Sequence, residues 1–205
     1  TNGRIDVLFN NAAYGQPGAV EDLKKAVLRE QFETNVFGTQ ELTNLVIPYM
    51  RKQKSGRIIY NSSILGFVAM SYRGAYNASK FAIEGLADTL RLELHKSGVE
   101  VVLIEPGPIR SDFRKNALAK FLEHIDQEHS AHSDVYAKTL ARLQKSGDAP
   151  FTLGSEAVLE VLIRAIEAQN PKARYGVTFP TKLFAWLKRF LSTKLLDTIA
   201  RKASE

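Results

Sequence analysis

The sequence predicts an α/β fold built on a doubly wound parallel sheet. Three short, nearly continuous apolar segments, residues 5–13, 56–64 and 99–107, are typical of strands that are buried on both faces. Longer segments with apolar residues at helical spacing lie between them, at 28–53 and 74–97. Strands that alternate with helices in this way form parallel sheets covered by helices on both sides.

The first half of the chain contains two strand–helix pairs. IDVLFNNAA (5–13) is an apolar strand that ends in asparagines, and GRIIYNSSI (56–64) is the second strand. The first helix is predicted from a set of apolar residues at helical spacing: Leu28, Phe32, Val36, Leu42, Leu45 and Val46. The second helix is predicted to point four apolar side chains inward, namely Phe81, Leu86, Leu90 and Leu94.

The second half begins with the most apolar strand, VEVVLIEPG (99–107). Residues 108–150 are more polar and predict a long loop region that contains one or two helices. A helix over 155–168 and a short last strand, RYGVT (174–178), follow. Residues 180–203 predict one basic amphipathic helix.

Composition favours one domain over residues 1–205, because the chain is long enough for a sizeable core and no linker or repeat divides it. The absence of cysteine excludes disulfides and thiolate metal sites, and we expect a cytoplasmic protein. Residues 1–170 carry 20 basic and 20 acidic side chains, whereas the last 35 residues carry 8 and 2. The net charge of +6 therefore belongs to the tail, and no nucleic-acid motif accompanies it.

Polar or backbone-breaking residues end all three strong strands. In parallel sheets, chemistry collects where the strands end, at their carboxyl edge. These strand-end residues are Asn10 and Asn11, Ser62 and Ser63, and Pro106 and Gly107. The sequence therefore predicts a functional site at this edge.

The segment YNASK places Tyr76 one helical turn before Lys80, so both side chains lie on one helix face. A free phenol has a pKa near 10, and a neighbouring ammonium favours the phenolate. The pair therefore predicts a general acid or base, although an isolated pair of this kind is more often a surface contact. Similarly, Ser63 considered by itself would be interpreted as a residue that caps the end of a strand. Asn35 considered by itself would be interpreted as a solvent-exposed asparagine in a helix.

Other chemistries have less support. His95, His124, His129 and His132 have no spacing that suits a metal site, so no metal is predicted. No histidine accompanies a Gly-x-Ser-x-Gly elbow, which leaves a hydrolase triad poorly supported.

The segments NNAA, TNVFG and PGPI, with YNASK thirteen residues after Ser63, resemble the short-chain dehydrogenase/reductase family. The resemblance covers essentially the whole chain and implies a Rossmann-type sheet that lacks its first βαβαβ half. That half carries the family's Gly-rich cofactor turn, and no such motif occurs here. We therefore expect an N-terminally truncated chain that binds dinucleotide poorly and turns over little. LIEPGPIRSDF and FTLGSEAV look closest to bacterial retinol- and steroid-dehydrogenase-like members.

The resemblance implies four catalytic residues. Tyr76 would be the general acid/base, and Lys80 would lower its pKa and bind the nicotinamide ribose. Ser63 would hydrogen-bond the substrate oxygen, and Asn35 would hold a water that links Lys80 to solvent. Cofactor-lining positions are implied for Tyr76, Lys80 and a further set: Asn10, Asn11, Ala12, Ala13, Pro106, Gly107, Ile109 and Ser111.

The implied activity is oxidation or reduction of an apolar alcohol, aldehyde or ketone with NADP or NAD. Residues 108–150 would form the substrate loop region, and the two long helices would join subunits of a homo-oligomer. An alternative is a non-catalytic dinucleotide-binding or peripheral membrane protein. The basic helix over 180–203 can lie on a membrane surface, cover the substrate cleft or contact a partner subunit.

Overall fold

A computed structural model describes residues 3–144 and 147–204 of the chain. Its sheet has four parallel strands in sequence order: β1 (Val7–Asn10), β2 (Gly56–Asn61), β3 (Val99–Glu105) and β4 (Arg174–Gly176). Ile58 of β2 is paired with Leu8 on one side and Val101 on the other. The predicted parallel α/β fold is confirmed.

Eight α-helices connect and follow these strands within the described ranges. They are α1 (Lys25–Phe32), α2 (Gly38–Gln53), α3 (Gly74–Glu93), α4 (Phe113–His124), α5 (Ser133–Gln144), α6 (Glu156–Glu167), α7 (Phe179–Phe190) and α8 (Thr193–Ser204). The predicted helix over 28–53 is therefore divided, because a π-helical segment, Glu33–Phe37, joins α1 to α2. Two helices, α4 and α5, lie in the region 108–150, as predicted.

Alternate side chains of the strands pack into different cores on the two faces of the sheet. Ile58 and Tyr60 belong to a core formed with α2 and α3. Ile59, between them, belongs to a second core formed with α6. Because both faces of the sheet are covered by helices, most residues of the inner strands are apolar and do not alternate with polar ones.

Two of the residues predicted to point inward from the second helix do not. Phe81 and Leu86 are 41% and 37% exposed, whereas Leu90 and Leu94 are buried. The buried apolar residues Ile83, Ala87 and Leu90 of α3 recur every three or four residues, which leaves Phe81 and Leu86 at other angles around the helix. The prediction was wrong for these two because several helix faces carry apolar residues.

The predicted single helix over 180–203 is also wrong. Leu191 is extended (φ −93°, ψ 146°) and ends α7, and the Ser192 carbonyl accepts the first backbone bonds of α8. Serine and threonine favour helix starts, which gives Ser192-Thr193 its tendency to begin a new helix. None of the helices within the described ranges has both the length and the apolarity to cross a membrane.

Replacing Gly98 with alanine should destabilise the fold by about 2 kcal/mol or more. Gly98 has a φ of +82°, and an added Cβ would lie 2.0 Å from the backbone oxygen of Lys54. Chemical denaturation measures the change. The matched control is Gly85→Ala on α3, where nothing lies within 4 Å of the added atom and alanine should stabilise the helix by up to about 1 kcal/mol. Equal effects of the two substitutions would contradict the argument.

Candidate active site

Ser63 and Tyr76 meet at the carboxyl end of β2. Ser63 begins a short 3₁₀ turn (Ile64–Gly66), and its hydroxyl oxygen accepts a hydrogen bond of 3.1 Å from the Leu65 amide. A further hydrogen bond from Ser63 lowers the pKa of Tyr76, as a hydroxyl that donates to the phenol oxygen does. Tyr76 lies in the first turn of α3, which starts just after this loop. The structure therefore brings these two predicted residues together.

Lys80 is 4% exposed and lies one turn further along α3. Its amine donates a hydrogen bond of 2.7 Å to the Asn61 carbonyl, which ends β2. The nitrogen lies 5.7 Å from the centre of the Tyr76 ring. An ammonium group has three donors, so the Asn61 bond leaves capacity for other acceptors.

The predicted lowering of the Tyr76 pKa is not found in this structure. Burial raises the pKa of Tyr76 to about 12, and the bond from Ser63 offsets only part of that rise. Burial also lowers the pKa of Lys80 to about 8, with Glu84 acting in the opposite direction. The Lys80 nitrogen is bound to a carbonyl and lies by the ring rather than at the hydroxyl. Tyr76 therefore holds its proton at neutral pH.

Asn35 lies in the π-helical segment and is 2% exposed. Its amide oxygen accepts from the Tyr14 backbone amide (3.1 Å), and its nitrogen donates to the Tyr14 carbonyl (2.9 Å) and to the Ser79 hydroxyl (3.0 Å). Asparagine favours such side-chain bonds over regular helix, and π-helical turns often occur at functional sites. Asn35 thus ties the loop after β1 to α3 beside Lys80.

A small cavity separates Asn35 from Lys80. Its volume of about 10 Å³ accepts the centre of about one water molecule, and polar side chains line most of it. The lining residues are Asn10, Ala12, Asn35, Thr39, Tyr60, Asn61, Lys80 and Ile83. Among the described residues, the Asn61 side-chain oxygen is one of a few buried acceptors without a hydrogen-bond partner.

The segment NNAA forms the loop that follows β1. Asn10 is buried and donates a bond of 2.9 Å to Thr43, whereas Asn11 is exposed and accepts one of 2.6 Å from Asn61. Ala12 is exposed and Ala13 half-buried. Ala13 is not among the described residues with positive φ, so alanine fits here without backbone strain. Asn10 therefore has a structural bond, while Asn11 and Ala12 present open surface.

The loop after β3 contains the other predicted cofactor-lining residues. The Pro106 carbonyl accepts from the Ile64 amide at 2.8 Å, which ties this loop to the Ser63 turn. A Cβ on Gly107 would lie 2.1 Å from the Thr178 hydroxyl, so this glycine is needed for packing against the residues after β4. Ile109 is half-buried beside Leu153, and Ser111 is exposed. The Pro106 end of this loop is bonded to the site.

Three features of the site were missed by sequence reasoning. The Phe113 ring packs edge-on against Tyr76, with 5.1 Å between the ring centres, and also touches Gly15. Phe184 of α7 belongs to an apolar cluster that includes Ile64 and Tyr76. This contact was not predicted, although the sequence left open that the tail covers the substrate cleft. Neither contact has a local signal in the sequence, because each joins distant segments.

The third missed feature is a buried acidic cluster on the same face of α3, one turn beyond Lys80. Arg174 of β4 contacts Glu84 at 2.8 Å, Asp88 at 2.8 Å and Glu105 of β3 at 3.0 Å. Glu84 and Glu105 are 7% and 5% exposed. Burial raises the pKa of both, that of Glu105 to about 7, while Arg174 opposes the rise. This cluster joins the helix that carries Tyr76 to the edge of the sheet.

Folding stability should decline between about pH 4.5 and 7 because of Glu105. The unfolded carboxyl ionises near 4.5 and the folded one near 7, so the folded state binds more protons in this window and loses stability as the pH rises. The loss amounts to about 3 kcal/mol, and Glu105→Gln should remove it. Urea denaturation at pH 5 and 7.5 measures the difference. The control is Glu100→Gln, on the exposed side of β3, and an unchanged decline in Glu105→Gln would refute this role.

The histidines do not gather into a metal site. His124 contacts the Gln16 amide oxygen at 2.8 Å, and His132 contacts Glu21 at 2.5 Å. Across residues 3–144 and 147–204 there is no group of three or more histidine or acidic side chains arranged to hold a metal ion.

Comparison with known proteins gives consistent matches. A family model described as short chain dehydrogenase matches residues 1–121. The chain is 38% identical over 192 residues to the uncharacterized oxidoreductase YbbO of Escherichia coli, covering 94% of this chain and 65% of that protein. It is 34% identical over 203 residues to a 3-ketodihydrosphingosine reductase of Bacteroides thetaiotaomicron, covering 97% of this chain and 72% of that protein. It is 33% identical over 182 residues to human 17-beta-hydroxysteroid dehydrogenase type 1, covering 87% of this chain and 54% of that protein.

Solved structures agree on the fold. A short-chain dehydrogenase from Streptomyces avermitilis superposes with a TM-score of 0.71 at 26% identity, over 92% of this chain and 70% of that one. A short chain dehydrogenase from Burkholderia cenocepacia, solved in complex with NADP, has a TM-score of 0.68 at 20% identity, over 91% and 66%. The chain thus spans about two thirds of the length of these proteins.

Proposed function

Because the chain belongs to the short-chain dehydrogenase family, we propose that it carries the catalytic residues of an NADP- or NAD-dependent oxidoreductase. The observation that carries this proposal is the position of the Tyr76 ring, with the buried Lys80 amine 5.7 Å from its centre and Ser63 at the adjoining end of β2. A structural role alone would not need a half-buried phenol beside a buried hydroxyl and a buried amine at the end of one strand.

Tyr76 supplies the proton in the reducing direction. With a pKa of about 12 it stays protonated at neutral pH and donates to the oxygen of a bound carbonyl. The Ser63 hydroxyl, whose position is fixed by the Leu65 amide, hydrogen-bonds the same oxygen and stabilises its developing charge. Lys80, bound to the Asn61 carbonyl, holds a positive charge near the phenolate that forms.

Reprotonation of Tyr76 passes through the cavity between Lys80 and Asn35. A water in this cavity would lie among the polar groups of Asn10, Asn35 and Asn61, which can hold it by hydrogen bonds. The Asn61 side-chain oxygen, buried without a partner, provides an acceptor for that water. Lys80, with its pKa near 8, exchanges protons in the physiological range.

The residues present fit the nicotinamide half of a dinucleotide. Lys80 keeps donors for a ribose diol, and the exposed Asn11 and Ala12 and the loop from Pro106 through Ile109 to Ser111 border the same edge. Bound NADP or NAD would supply the hydride to the substrate carbon. The printed sequence contains no Gly-rich strand–turn–helix for the pyrophosphate.

The substrate is an apolar alcohol, aldehyde or ketone. Tyr76 packs against Phe113 and lies in one apolar cluster with Ile64, Leu65 and Phe184, so the surroundings of its hydroxyl favour hydrocarbon. The names of two relatives, a ketodihydrosphingosine reductase and a hydroxysteroid dehydrogenase, describe substrates of this kind.

We also propose that the protein is a homo-oligomer. Leu45 and Tyr49 on α2 are 64% and 56% exposed, and Phe81 and Leu86 on α3 are exposed as well. Exposed apolar side chains on neighbouring helices are typical of subunit interfaces. The two helices are those for which the family resemblance implies a dimer contact.

The function is tested with two forms of the protein, the chain as printed and a form extended upstream to the length of its relatives. NADPH binding is followed by fluorescence titration, and NADPH oxidation is followed with long-chain aldehydes and steroid ketones. The extended form should bind NADPH and reduce at least one of these carbonyl classes. If the extended form binds neither NADPH nor NADH, the proposal is refuted. Tight NADPH binding by the chain as printed would show that the cofactor is held without a Gly-rich strand–turn–helix.

A further inference from the structure

The outer face of α7 carries an exposed apolar stripe. It consists of Phe179, Leu183, Trp186 and Phe190, which recur at intervals of three and four residues and so share one helix face. Their exposed fractions are 58%, 38%, 58% and 65%. The rings of Trp186 and Phe190 are 5.0 Å apart. Four large apolar residues in one exposed line indicate a binding surface rather than scattered surface residues.

This stripe is separate from the face that attaches α7 to the domain. Phe184 and Leu187 point inward to the cluster with Ile64. Phe151, itself 62% exposed, extends the stripe by packing its ring 5.4 Å from that of Phe179. The inner contacts therefore fix the helix so that the stripe faces outward.

Positive charge lies along one flank of the stripe. At 100° per residue, Lys182 and Arg189 fall on the same side of it, and both are exposed. Phe179–Phe190 contains no acidic residue. Lys194, Arg201 and Lys202 of the adjoining α8 are exposed too. Lys188 is different, because its amine turns inward to the Phe67 carbonyl at 2.6 Å.

We propose that this face of α7 docks on the surface of an anionic lipid bilayer. An apolar stripe with aromatic rings and a basic flank matches the boundary between acyl chains and negative headgroups. The twelve-residue helix lies in the interface and does not cross it. A second copy of the chain is a poorer match, because it would bring an equally basic flank against this one. The proposal depends on this surface alone and not on the proposed activity.

Trp186 reports on docking directly, since it is the single tryptophan in the sequence. The full chain is mixed with vesicles of phosphatidylcholine and phosphatidylglycerol in equal parts, and with vesicles of phosphatidylcholine alone. On the anionic vesicles the Trp186 emission should shift to shorter wavelength and be quenched by lipids brominated near the headgroup end of the chain. Unshifted emission and no cosedimentation with the anionic vesicles would overturn the proposal.

Substitutions separate the contribution of the apolar stripe to vesicle binding from that of the basic flank. Phe190→Ser should weaken vesicle binding by about tenfold or more, and Lys182→Gln and Arg189→Gln by about fivefold each on the anionic vesicles only. The matched control is Leu92→Ser on α3, which removes a side chain that is 73% exposed but far from the stripe in the sequence. Equal losses in Leu92→Ser and Phe190→Ser would overturn the assignment of the surface.

Two further measurements test whether a second copy of the chain covers the stripe and whether vesicle binding depends on the candidate active site. If emission is already shifted without lipid and Phe190→Ser changes the mass in sedimentation equilibrium, a second copy occupies the stripe and the proposal is wrong. Tyr76→Phe should bind vesicles as the unmodified chain does. The proposed vesicle binding and the proposed enzymatic activity can therefore be refuted separately.

Discussion

Replacing Tyr76 with phenylalanine should lower the turnover of the extended protein by at least about 100-fold. The substitution removes one oxygen, and with it the proton that the phenol holds at neutral pH. The affinity for NADPH should change little, because the ring and its packing against Phe113 remain. Turnover and cofactor affinity measured side by side distinguish a lost proton donor from a damaged pocket.

Tyr49→Phe is the matched control for this substitution. It removes the same atom from a side chain on α2 that is 56% exposed, and activity should be unaffected. Retained turnover in Tyr76→Phe would exclude the assigned role. An equal loss in both variants would show that the effect is not specific to Tyr76.

Replacing Arg174 with methionine should destabilise the protein by about 3 kcal/mol at pH 8. The substitution leaves Glu84 and Glu105 buried without their cation. The expected loss lies at the low end for a broken buried ion pair, because the Arg174 side chain itself is 38% exposed. At pH 5 the loss should be smaller, since the raised pKa values let both carboxyls take up protons.

Urea denaturation of Arg174→Met at both pH values tests the electrostatic cause. Adding Glu105→Gln to Arg174→Met should recover part of the stability at pH 8, because one buried charge is then gone. Arg29→Met, an exposed site on α1, should be neutral at both pH values. An equal loss at pH 5 and pH 8 would assign the effect to the packing of the arginine stem.

The sheet and the position of the site could be predicted because their signals are local. Continuous apolar segments identify strands that are buried on both faces, and polar residues at their ends place Ser63 and Pro106 at one edge. The four-residue spacing of Tyr76 and Lys80 needs only helical geometry. Each of these inferences uses neighbours in the sequence.

The features that could not be predicted depend on contacts between segments that are distant in the sequence. The sequence shows Arg174 as one more basic tail residue, yet in the fold it pairs with carboxylates of α3 and β3. The Tyr76 pKa follows burial by Phe113 and the tail helices rather than the spacing to Lys80. The break at Leu191 is visible only once the inward and outward faces of α7 are known.

The π-helical segment around Asn35 has a consequence for the site rather than for the core. A π turn holds one residue more than an α turn, so it absorbs an extra residue within one turn while α1 and α2 keep their angular relation. Val46 and Met50 therefore stay buried against the sheet. Removing one residue from Glu33–Phe37 would leave a continuous α-helix with the same buried face, and the local change would fall on Asn35. The irregularity thus serves the position of Asn35 rather than the packing of α2.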